Sequence, residues 1–117
     1  MIEVKKLLSD IEKEITAEAH ATFLKLGKDA VKDSREFLSG VEGDIKRWSL
    51  KLAAGTLSQE GYVALVQGSK DLAELHALKQ KGVGQVMLNE FQDKMISIII
   101  NRTIGMLGGV KGMMETP

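Results

Sequence analysis

Apolar residues recur at helical steps along most of this chain. Val4, Leu8, Ile11, Ile15, Ala19, Phe23 and Leu26 follow one another at steps of three and four with charged residues between them, the pattern of a helix with one buried stripe. The stripe predicts an amphipathic helix ending near Gly27, a residue suited to a helix stop. A second helix is expected from Lys28 or Asp29, carrying Leu38, Val41, Ile45, Trp48 and Leu52. A repeat averaging about 3.5 residues holds one seam against a neighbouring helix. Gly40 and Gly43 lie off that seam, and each weakens the helix by about 1 kcal/mol relative to Ala, so packing must supply the stability.

Ala54-Gly55-Thr56-Leu57-Ser58-Gln59 is the clearest break. Gly55 suits the left-handed residue that closes a helix, and Thr56 or Ser58 can cap the next one, Thr56 with Gln59 at capping-box spacing. Beyond it Tyr62, Leu65, Ser69, Leu72, His76, Val83 and Met87 share a face, and Gly61, Gly68 and Gly82 form a neighbouring line along which another backbone could approach. Helix is expected on both sides of Gly82-Val83-Gly84, either as two antiparallel helices or as one rod bent there, and the bend is preferred because a two-residue turn without Pro or Asn is weak. One continuous rod of about 45 residues would measure about 70 Å, more than the first two helices could cover.

The last helical stretch, Met95 to Leu107, is apolar around most of its circumference. Its Met, Ile and Leu side chains spread over roughly 240° of a helical wheel, against the single stripe of a surface helix. Such a segment needs cover on more than one side. The sequence reading places that cover outside the chain, in a second copy or another protein, with the interface on Tyr62, Leu65, Leu72, His76, Val83, Met87, Met95, Ile98, Ile99, Arg102 and Met106. A peripheral membrane-binding or pore-forming role for the same segment is the alternative. It is less favoured, because aromatics are few and the polar face is not basic.

Composition narrows the picture. The 117 residues are 44% hydrophobic, 27% charged and only 4% aromatic, a balance suited to Leu, Ile, Val, Ala and Met packing helix on helix. The expected fold is therefore all-α, three or four amphipathic helices in a bundle, with residues 1–107 as one domain and 108–117 a glycine-rich flexible tail. Sixteen basic side chains balance sixteen acidic ones, and the signs alternate, so no long-range field draws nucleic acid or an anionic membrane to the surface, and nucleic acid is not expected as a partner. The chain has no cysteine, and with it no disulfide, thiolate or cysteine-held zinc. The acidic amino-terminal stretch is unlike a secretory signal, and no window reaches the roughly 20 apolar residues of a membrane span, so a cytoplasmic location is expected.

No chemical signature emerges. His76, in the middle of an apolar face, is expected to be a structural or interface histidine bonded to Gln80, Ser69 or another copy, with His20 solvated. The carboxylates lack the Glu-x-x-His spacing of a bundle metal site and read as solvated faces. Gly82-Val83-Gly84 lacks the rest of a dinucleotide fingerprint. No cofactor, metal or catalytic residue is assigned, and the chain is read as non-enzymatic. Arg102, set among Ile98, Ile99, Met106 and Leu107, is expected to reach water or a carboxylate from elsewhere. The methionines of the final third suit either an adaptable surface or gap filling.

Overall fold

The computed structural model describes residues 3–108; the expected tail beyond Gly108 lies outside them. Two long helices open the chain, α1 (Val4–Thr22) and α2 (Gly27–Ala53). A short helix α3 (Gln59–Gly68) runs into a 3₁₀ turn at Ser69–Leu72, and α4 (His76–Gln80) is a single turn or so. α5 (Gln85–Met106) closes the fold. The 27 residues of α2 span about 40 Å at 1.5 Å each, which sets the 44 Å long axis of the molecule.

The elements form four columns running alternately up and down. α1 lies between α2 and α5. The third column, built from α3, the 3₁₀ turn and α4, leans on α2, and through α3 and the 3₁₀ turn on α5. The stripe expected for α1 is observed from Ile11 onward, with Ile11, Ile15 and Ala19 sealed from solvent, but in the first turns Leu7 is enclosed while the expected Val4 and Leu8 are half-buried at the margin of the core. α2 buries Ala30, Phe37, Val41 and Ile45, and Trp48 and Leu52 pack at the margin of the same core.

The boundaries differ from the sequence reading where distant contacts intervene. α1 ends at Thr22, and Gly27 opens α2. The corner is tight, because a Cβ at Gly27 would come within 2.5 Å of the His20 ring. Residues 59–106 are not a bent rod. The chain leaves helix at Ala73–Leu75 and reverses at Lys81–Gly84, where Gly82 takes φ +81°, a left-handed conformation that glycine adopts without strain. Gly55 does the same after α2, as its sequence context predicts, and Ser58 rather than Thr56 caps α3, accepting from the Gly61 amide at 2.9 Å. No backbone of this chain packs along Gly61, Gly68 and Gly82: a Cβ at Gly68 or Gly82 would touch nothing, and one at Gly61 would touch only Leu57 and Ser58.

Buried polar groups fix how the third column docks. Asp33 of α2 is 3% exposed, and its carboxylate accepts from the backbone amides of Ala77 (2.9 Å to Oδ1) and Leu78 (2.8 Å to Oδ2) at the start of α4. A helix of five residues cannot sustain itself. Its leading amides lack intrahelical acceptors, and a carboxylate there both fills that need and meets the positive end of the helix. From the other side, Gln92 of α5 donates to the Ala73 carbonyl at 2.6 Å. Leu75, held between these two ties, has φ +57°, a conformation costing a non-glycine residue about 1–2 kcal/mol. Its side chain is buried in the core cluster, which offsets that cost.

At the far end of the same column, the Tyr62 hydroxyl lies 2.6 Å from Thr103 Oγ1, and Thr103 lies 2.8 Å from the Ile99 carbonyl. A threonine hydroxyl has one proton. Thr103 gives it to Ile99, so Tyr62 is the donor to Thr103. Burial pushes the Tyr62 phenol above its ordinary value, and the bond to Thr103 opposes this in part. The fold thus favours the neutral phenol: this contribution to stability is complete below the ordinary value of 10.0 and is lost as pH rises through the higher folded value. Tyr62 is the only tyrosine, so absorbance of the phenolate reads it alone. It should ionise above the pH of free tyrosine and together with loss of helical circular dichroism; ionisation at the free-tyrosine pH with helicity retained would contradict the buried donor.

Candidate docking face

The segment expected to need a partner is covered by its own chain. Met95 and Ile99 are fully enclosed, Ile98 is 8% exposed, and Ile96 and Ile104 are buried as well. α1 covers one side of α5, while α3 and the 3₁₀ turn cover another. Tyr62 is interior, and Val83 and Met106 are half-buried against the core. The surplus of apolar helix inferred from the wheel is therefore absent, because it is absorbed by two neighbours on different sides of one helix.

His76 also departs from expectation. It stands at the surface, 3.3 Å from Glu74 across exposed side chains, and makes no polar layer. Arg102 meets a carboxylate, pairing through Nε with Glu14 of α1. Among the described residues no group of three or more His, Cys, Asp or Glu could hold a metal ion, and every buried side-chain nitrogen and oxygen has a partner.

Of the expected interface, the apolar Leu65, Leu72 and Met87 and the polar His76 and Arg102 remain at the surface. Two residues outside that expectation are more exposed than any of the apolar ones: Leu24 at 84% and Val86 at 71%, beside Met87 at 42%. Leu24 belongs to the turn between α1 and α2, and Val86 and Met87 to the first turn of α5. Both places lie at one end of the bundle. α1 and α5 are antiparallel, with Glu14 on Arg102, Glu18 on Lys94 and Phe23 edge-on to Phe91 at 5.1 Å, so α5 begins where α1 stops.

The same tip is basic. Residues 19–28 and 75–89 contain Lys25, Lys28, Lys79 and Lys81 with His20 and His76, and no Asp or Glu. Each of the four lysines is exposed. Carboxylates flank both runs: Asp29 follows Lys28 directly, and Glu74 and Glu90 are exposed. Glu18 accepts from the Thr22 hydroxyl at 2.6 Å and meets Lys94 at 3.2 Å; the Thr22 bond first, then Lys94, hold its carboxyl below the usual range against the opposing effect of burial. Glu74 faces His76, Asp29 sits in the first turn of α2, and Glu90 is on the second turn of α5. A further basic run continues along α2, where Lys28, Lys32 and Arg35 line a shallow groove with His20, Val31 and Glu36. No known family model, curated protein or solved structure matches the chain.

The signal for this tip is present in the sequence. Leu24 falls between the stripe positions Phe23 and Leu26, hence off the buried face, and the two acid-free runs can be counted directly. What the sequence does not give is that they meet.

Proposed function

We propose that this chain is a non-enzymatic helical interaction protein, and that it docks through the tip formed by the α1–α2 turn, α4 and the start of α5. The observation that carries the reading is the gathering of Leu24, Val86 and Met87 at that end while the α5 stripe is enclosed. Apolar side chains left in water at one place mark contact surfaces more often than isolated ones do. The expectation of a homo-oligomer through α5 loses the surplus that motivated it. Two copies meeting tip to tip would also bring like charges together.

A photo-crosslinking residue at position 24, with the exposed Gly43 of α2 as control position, tests this in the source cell or in a matched extract. A discrete adduct at 24 and none at 43 supports a docking tip, and an adduct of twice the chain mass would assign self-association. The same adducts formed at both positions would refute it.

A further inference from the structure

Resting on the reading of the tip as a docking face, we infer that its partner is an anionic lipid bilayer surface, met peripherally. Two features select this occupant. The apolar residues project from turns and helix ends, with Leu24 almost wholly in water, whereas a peptide or helix is recognised by a concave groove with complementary walls. A fluid interface accepts projecting side chains without shape matching. Exposed Lys25, Lys28, Lys79 and Lys81 stand on the same turns and helix ends, in two segments free of carboxylates that Asp29, Glu74 and Glu90 flank, so the tip offers an anionic surface local cationic contacts. The rest of the chain, which brings the net charge to zero, supplies no long-range field, so the attraction is local and confined to within about 10 Å at ordinary salt.

The contact is shallow. Among the described residues no helix is long and apolar enough to cross a membrane, and the core of the bundle is satisfied without lipid. Leu24, Val86 and Met87 would enter the headgroup boundary while the lysines remain at the phosphates. Neither apolar nor basic groups alone suffice, because single weak anchors give only marginal membrane binding.

Flotation of the full chain with vesicles of phosphatidylcholine containing about one-third phosphatidylserine is the test. The chain should float with these vesicles and remain below with pure phosphatidylcholine. Leu24→Ser with Val86→Ser should lower the bound fraction at least about tenfold, as should Lys25→Glu with Lys81→Glu, while Leu50→Ser, an exposed leucine on α2, should leave it unchanged. All three variants alter exposed positions, and circular dichroism should match the parent. Protein that stays unbound at every lipid composition overturns the inference, as does binding that survives both tip variants. An adduct at position 24 to an acidic protein, with no flotation, overturns the lipid partner while leaving the tip as a docking face; no adduct together with no flotation removes both.

Discussion

Ile99→Asp should unfold this protein rather than dissociate it. Ile99 is fully enclosed on α5, one turn before Thr103, and its carbonyl accepts the Thr103 hydroxyl. Truncating a buried isoleucine to alanine size costs about 2–5 kcal/mol, and the charge added here would be buried without a partner, costing several kcal/mol more or forcing the group to take up a proton. The sum reaches the whole stability of an ordinary domain, about 5–15 kcal/mol. Circular dichroism and size-exclusion chromatography should show loss of helix and an expanded chain. A folded variant of halved mass would restore the idea that Ile99 lies between copies.

The second large effect belongs to Asp33. Asp33→Ala leaves the Ala77 and Leu78 amides without their acceptors, and hydrogen bonds to a charged group contribute about 1.5–3 kcal/mol each. Part of this is regained if water reaches α4, so about 3 kcal/mol is expected from denaturant unfolding. Asp33→Asn should be intermediate, since one side-chain oxygen remains and an NH₂ faces the other amide. Amide hydrogen exchange gives the local readout: Ala77 and Leu78 should lose protection more than the amides of α1. Equal loss across the molecule would mean that Asp33 acts on global stability alone.

The architecture was legible wherever a stripe and its partner were close in sequence. Val4 to Phe23 gave α1, the seam from Leu38 to Leu52 gave the second half of α2, and Gly55 with Ser58 gave the turn between the second and third columns. The third column was not legible, because its breaks depend on groups far along the chain. α4 starts where it does because Asp33, 44 residues earlier than Ala77, supplies an acceptor, and nothing near Leu75 announces a left-handed residue. The reading of Met95 to Leu107 failed for a different reason. A helical wheel measures how much of a helix is apolar, not how many neighbours it has, and α5 has two flanks covered within the same molecule. His76 belongs with the third column: the apolar face drawn through it needs a continuous helix that the chain does not form.

The central place of α5 bears on how the polypeptide reaches this state during synthesis. Leu88, Phe91, Met95, Ile96, Ile98, Ile99 and Ile104 fill the interior, yet they are translated after every element they cover. Until they emerge from the ribosome, the stripes of α1 and α2 have only each other and the short third column, and the nascent chain presents sticky, half-covered helices of the kind that chaperones hold. A stop codon ahead of Gln85 would release an aggregation-prone fragment rather than a smaller folded protein.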